Sequence, residues 1–283
     1  MQKKNDFLTR RFWSRFSIHA FAVIGVIALV LDVWNEAFPE AELVGGWLLL
    51  LGIVLTAGIV GLVRSWPKPI EVSFSAPRTA IRVVEGDLFD EPGHVVIGTC
   101  DTFDTETPSI IAKGSLQGQA LERFYGGDVK ELDRQILHAL GGRNPSARID
   151  KPGKQEKFGV GTVAALKQSG RYLFLLAYSE MNEKNEARST ADALWSSLSS
   201  LWQEVSVHGN GTSVSIPVIG GGMSRMSQIL PAQDSIRFIA LSFMMASRKE
   251  RVCDELRIIV RQSDYAKLDR LELQAFLSSL RSS

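Results

Sequence analysis

Two patterns divide the chain. Leu43–Val63, LVGGWLLLLGIVLTAGIVGLV, runs for 21 positions without a charge. At the rise of an α-helix that length reaches ~31 Å, enough to cross the hydrocarbon core of a bilayer. An earlier apolar run, Phe16–Trp34, carries His19 and Asp32 only near its ends. Beyond Pro67, Pro69 and Pro77 the pattern changes to short β-branched runs alternating with amphipathic stretches. Strands are predicted at Ala80–Glu85, His94–Thr99, Thr162–Leu166, Tyr172–Tyr178, Ser213–Ile219 and Glu255–Val260. Helices are predicted at Gly118–Gly126, Val129–Gly141, Thr190–His208, Pro231–Lys249 and Asp264–Ser279, with Ser189 or Thr190 capping the third. Gly142–Phe158, rich in Gly, Pro, Lys and Arg, reads as a loop.

The expected fold class is therefore α/β: a mixed sheet flanked by helices, preceded by a two-helix transmembrane hairpin. The hairpin is placed at 1–66, with spans near 16–34 and 43–63, a linker at 67–79 and the α/β domain at 80–283. No clean small-x-small cleavage site follows the first run, and a short link leads straight into the second. This favours a hairpin over a signal peptide. Trp13, Trp34, Trp47 and Trp66 flank the two runs as an interfacial belt would.

Charge sharpens this picture. The formal net charge of +1 hides an asymmetry along the chain. Lys3, Lys4, Arg10, Arg11 and Arg15 precede the first run, and Arg64, Lys68, Arg78 and Arg82 follow the second. The link between them holds Asp32, Glu36, Glu40 and Glu42 and no Lys or Arg. The positive-inside rule places both termini and the α/β domain in the cytoplasm. Cys100 and Cys253 form no C-x-x-C pair, consistent with a reducing compartment. Ala57 and Gly61 stand at small-xxx-small spacing and suggest close helix packing, hence self-association as a homo-oligomer. Basic and acidic residues balance, which argues against a nucleic-acid partner. His19, His94, His138 and His208 lack metal-ligand spacing, so neither a metal nor a resident cofactor is expected.

Candidate chemistry gathers at glycine-marked turns. Gly220, Gly221 and Gly222 follow a strand and precede a helical pattern that begins near Ser227. Glycine permits positive φ and lets backbone N–H groups approach a phosphate. Gly114-Ser115-Leu116-Gln117-Gly118 leads into a helix, and Gly86-Asp87-Leu88 follows the first strand of the α/β region. Two such loops with an acid suit a nucleoside diphosphate, the carboxylate accepting from an adenine amino group. Each turn taken alone is also an ordinary tight turn, and Asp87 an ordinary cap.

The order of these motifs resembles a macro domain, the ADP-ribose-binding fold. VVEGDLF at Val83–Phe89, HVVIGTCDTFD at His94–Asp104, FGVGTVAAL at Phe158–Leu166 and SIPVIGGGMSR at Ser215–Arg225 carry the likeness over roughly Ala80–Arg261. The resemblance implies adenine contact at Asp87 and Leu88. It implies diphosphate contacts at Ser115, Leu116, Gln117 and Gly118, and at Gly220, Gly221, Gly222, Met223, Ser224 and Arg225. Thr99, Cys100 and Asp101 would face the distal ribose. Hydrolytic members often carry N-A-A-N after the second strand, where this chain has Gly98-Thr99-Cys100-Asp101.

A hairpin anchor joined to a divergent macro domain is similar to the membrane effectors of type II Thoeris anti-phage defence. That likeness implies a non-enzymatic protein of the bacterial inner membrane. It would bind an ADP-ribose derivative of the histidine-ADP-ribose type, made by a partner TIR-domain enzyme, and then injure the host membrane. The alternative is a membrane-tethered hydrolase of ADP-ribose derivatives, with Asp101, Asp104 or Glu106 as its base.

Overall fold

The computed structural model describes residues 10–39, 46–66, 69–219 and 230–281. It forms two units, Met1–Lys68 and Pro69–Ser283.

In the first unit, α1 (Arg10–Ala37) and α2 (Trp47–Ser65) pack together. Phe12–Ala37 and Trp47–Ser65 are both long and apolar enough to cross a membrane. Ala57, Gly61 and Ser65, spaced one turn apart, are the buried positions of α2. A Cβ added at Gly61 would lie 2.9 Å from the Phe16 ring and 3.3 Å from the Phe16 carbonyl oxygen. The small-residue face, expected to serve self-association, is thus occupied inside the pair, because glycine there lets α1 come close.

The second unit is an eight-stranded sheet between helices. Its order is β1 (Ile70–Ser75), β2 (Arg78–Glu85), β10 (Glu255–Val260), β9 (Val214–Pro217), β3 (His94–Cys100), β7 (Arg171–Met181) and β6 (Val163–Gln168), with β8 (Ala187–Arg188) paired to β7. The five strands from β2 to β7 run parallel, and β1 and β6 close the edges antiparallel. β4 (Ala147–Arg148) and β5 (Glu156–Lys157) form a small ribbon inside the expected loop.

Both faces of the sheet are covered, which explains the near-continuous apolar runs. Val95 and Ile97 turn to one side and Val96 to the other. The first face meets α3 (Leu116–Tyr125) and α4 (Val129–Ala139) through Leu121, Leu132 and Ile136. The second meets α5 (Ala191–His208), α6 (Ala232–Lys249) and α8 (Arg270–Ser279) through Leu198, Trp202, Phe243 and Leu277. Trp202 reconciles its indole with this core by donating to Ser242 Oγ at 3.0 Å. The α5 cap is Thr190, whose Oγ1 accepts from Ala193 N.

Two expectations change. Ile70–Ser75, inside the stretch read as linker, is the edge strand β1, its residues alternating buried and exposed. The predicted helix Asp264–Ser279 is two helices, α7 (Gln262–Tyr265) and α8. Asp269 divides them by accepting from the N–H groups of Leu271 and Glu272, which caps a new start.

Candidate functional site

The C-terminal ends of β10, β9, β3 and β7 open onto a cavity of about 620 Å³. This is the edge of a parallel sheet where α/β folds place ligands. Gly98, Thr99 and Cys100 of β3, Tyr178 and Ser179 of β7, Pro217 at the end of β9, and Val218 and Ile219 after it form its floor. Ile110, Ile111, Leu230 and Leu268 add apolar wall.

Two helix N-termini reach the cavity. Ser115, Leu116 and Gln117 belong to the start of α3, and Pro231, Ala232 and Gln233 to the start of α6. The first is sealed by its own cap, since Ser115 Oγ accepts from Gly118 N at 3.1 Å. The second begins after Pro231 with no side-chain cap among the described residues, and carries Asp234 in its first turn; its N-terminal N–H groups suit an anion. Arg261, Asp264 and Lys267 stand at the β10 side.

Of the residues expected to bind ligand, Thr99, Cys100, Ser115, Leu116 and Gln117 line this cavity. Asp87, Leu88, Asp101 and Gly118 lie outside its lining. Gly220, Gly221, Gly222, Met223, Ser224 and Arg225 lie outside the described residues, and the two described positions that flank them, Ile219 and Leu230, both line the cavity.

The four that lie elsewhere have visible structural work. Asp87 caps a short 3-10 turn, Leu88–Asp90, its Oδ1 accepting from Phe89 N at 2.9 Å. Its Oδ2 pairs with Arg123 at 2.5 Å. Leu88 is buried in the α3–α4 face of the core. A Cβ at Gly118 would sit 2.6 Å from the carbonyl oxygens of Ala112 and Lys113, so close backbone approach accounts for that glycine.

Asp101 and Asp104, expected as loop acids, are both 1% exposed. Asp104 faces Lys151 Nζ at 2.9 and 3.0 Å, and accepts from Thr102 Oγ1 at 2.5 Å and Lys154 N at 2.9 Å. Asp101 accepts from Met181 N at 2.9 Å and pairs with Lys157 Nζ at 3.1 Å. Burial pushes the Asp101 carboxyl upward, against the opposing pull of Met181 N–H and Lys157. Glu106 accepts from Ser109 Oγ at 2.7 Å. Lysines 151, 154 and 157 thus pin the segment after β3 from beneath. Burial also raises the Cys100 thiol, whose Sγ contacts Thr102 Oγ1 at 3.3 Å and Asp104 Oδ2 at 3.9 Å.

Sequence reasoning missed Tyr178, Arg261 and Lys267. A Cβ at Gly98 would fall 2.6 Å from Tyr178 Cε1, so this glycine makes room for an aromatic ring beside β3. The available signals were that glycine within a strand and a basic residue placed directly after Val260. Among the described residues no cluster of His, Cys, Asp and Glu has the arrangement to hold a metal.

Comparison with known proteins fits this architecture. Residues 81–261 match the family model described as Thoeris protein ThsA, Macro domain. The Thoeris protein ThsA of Bacillus amyloliquefaciens (strain Y2) is 24% identical over 236 residues, covering 81% of this chain and 78% of that protein. Among solved structures, the Oceanobacillus iheyensis macrodomain with ADP superposes with a TM-score of 0.51 at 14% identity, over 75% of this chain and 99% of that one. The match in fold and the length of the matched segment together establish that the chain belongs to the Thoeris ThsA macro-domain family.

Proposed function

We propose that the cavity binds an ADP-ribose-type nucleotide made on infection, and that binding drives the two apolar helices to disrupt the host membrane. The signal is of the histidine-ADP-ribose type and comes from a partner TIR-domain enzyme. The protein acts as a homo-oligomer in the bacterial inner membrane, with both termini and the macro domain in the cytoplasm. The observation that carries this reading is the cavity at the ends of the parallel strands, about 620 Å³ in volume and reached by the N-terminus of α6. Its size falls in the range of small-ligand sites. A diphosphate suits the α6 N-terminus, and the apolar wall of Leu230, Leu268 and Ile259 suits an adenine ring.

Turnover of such a nucleotide is the weaker reading. Of the three acids named for that role, Asp101 and Asp104 are held by lysines and backbone N–H groups, and Glu106 accepts from Ser109 Oγ. The test is calorimetric titration of the full-length protein in detergent with ADP-ribose and with its histidine conjugate. Saturable binding with preference for the conjugate supports the proposal. No heat from either nucleotide at ~1 mM would reject it, because that bounds the affinity at a physiologically idle level.

A further inference from the structure

The cavity opens at the same edge of the sheet at which the chain enters the second unit. β1 runs antiparallel to β2 and pairs Ile70 with Val83, while β2 runs parallel to β10. β1 therefore starts at the strand ends that open onto the cavity and runs away from them. In the sequence, residues 66–69 alone separate Ile70 from Ser65, the last residue of α2.

α8 connects the cavity to this strand. Gln233 lines the cavity at the start of α6, and both ends of its amide hold the start of α8. Its Oε1 accepts from Asp269 N at 2.8 Å, and its Nε2 donates to Glu272 Oε2 at 2.7 Å. A backbone N–H only donates, so the Asp269 contact fixes which end of the amide is oxygen. The other Glu272 oxygen pairs with Arg237, one turn along α6. Asp269 directly follows Leu268, which is buried and also lines the cavity. Further along α8, Gln274 clasps the β1 backbone. Its Oε1 accepts from Glu71 N at 3.1 Å, and its Nε2 donates to Glu71 O at 2.9 Å. Beneath these polar ties, Leu268, Leu273 and Leu277 share one apolar core with Ile70 and Val72.

The Gln233 amide thus joins two walls of the cavity, the start of α6 and the turn into α8. A molecule seated against Gln233 and Leu268 touches both sides of that joint and restrains them together. The ties are solvent-exposed, and such bonds belong to the least stable parts of a fold, open to restraint by a ligand. A helix satisfies its own backbone and moves as one body, so restraint at its start is felt at Gln274.

We propose that α8 is a signalling strut: a nucleotide in the cavity immobilises the α6–α8 joint at Gln233, and Gln274 passes that order to β1 and so to the chain that leads from α2. The proposal rests on the nucleotide reading above and adds the route by which occupancy leaves the site. Coupling of this kind needs no large displacement, only a bound state more ordered than the free one.

Hydrogen–deuterium exchange of the full-length protein in detergent tests it. The probes are ADP-ribose and its histidine conjugate, and calorimetry confirms binding. A bound nucleotide should slow exchange across 70–75 and 270–279 by about fivefold or more, the lower end of ordinary allosteric coupling. Gln274→Leu lies outside the lining of the cavity and removes the clasp on Glu71. It should still bind nucleotide and slow α8, but lose the slowing over 70–75. Arg248→Leu removes a different tie of this region, from Arg248 Nη2 to Leu280 O at 2.8 Å, and should keep both effects. If Gln274→Leu fails to fold, Gln274→Ala takes its place. Nucleotide binding by the wild type without slower exchange over 70–75 overturns the proposal. So does slowing there that survives loss of Gln274 or disappears in Arg248→Leu. Failure of both nucleotides to bind the wild type overturns the functional reading beneath it as well.

Discussion

Removing Asp104 should expose what holds the cavity floor in place. The Asp104 and Lys151 side chains are 1% and 0% exposed, and the pair meets at 2.9 Å. Asp104→Ala leaves the Lys151 ammonium buried, with the Pro152 carbonyl at 3.0 Å as its remaining acceptor among the described residues. It also strips acceptors from Thr102 Oγ1 and Lys154 N. Breaking one side of a buried pair costs about 3–5 kcal/mol, because a charge stays buried without a partner. For a domain of ~200 residues each kcal/mol moves Tm by ~2–4 °C, so the expected fall is ~6–20 °C. Thermal unfolding of full-length protein in detergent, followed by tryptophan fluorescence, measures it. The control is the double variant Asp104→Leu with Lys151→Met. An apolar pair of similar volume is often as stable as the ion pair it replaces, so the double variant should recover most of the loss. A shift under ~2 °C in the single variant would refute the reasoning. So would a double variant no more stable than the single one.

Other outcomes are equally definite. His94 is neutral by construction: Nε2 donates to Gly209 O at 3.1 Å and Nδ1 accepts from Tyr172 N at 3.0 Å, while burial lowers its pKa from 6.5. Below about pH 6.5 the unfolded chain takes up a proton that the folded one resists, so Tm should fall as pH drops through that range, and His94→Gln should flatten the slope. Gly61→Leu collides with the Phe16 ring and should separate α1 from α2, read as lost cross-linking between cysteines placed on the two helices. The same variant should reduce toxicity in cells while nucleotide affinity stays unchanged; retained toxicity would show that this packing is dispensable. Gly221→Val should abolish nucleotide binding without lowering Tm, and normal binding would show that the triple glycine is only a turn.

The legible parts of the chain were those whose reason is local. Glu255–Val260 matches its prediction residue for residue, since an alternating β-branched run needs no distant partner to be recognised. The turn at Gly114–Gly118 was legible as leading into a helix, but the helix begins at Leu116, capped by Ser115, rather than at Gly118. Ile70–Ser75 alternates as a strand should, but the prolines around it suggested a linker. Asp101 and Asp104 look like solvated acids because the lysines that bury them lie ~50 residues further on, and nothing local reports such a pairing. Arg261 and Lys267 reach the cavity only because the sheet order sets β10 beside β9. At Ala57 and Gly61 the spacing reported close helix packing but not which helix would pack there, and α1 of the same chain lies against Gly61.

The edge of the sheet at β1 has a consequence for crowding. An edge strand offers unpaired N–H and C=O groups to any neighbouring strand. On β1 those of Glu71 are taken by one side chain: Gln274 Oε1 accepts from Glu71 N at 3.1 Å, and Gln274 Nε2 donates to Glu71 O at 2.9 Å. Arg281 Nε donates to Ser73 O at 3.1 Å. The glutamine amide imitates one residue of a ninth strand and then stops, because α8 carries it away. Two copies pressed side by side therefore cannot zip into a continuous sheet through β1 unless α8 first lifts off, and the edge stays inert however densely the protein is packed.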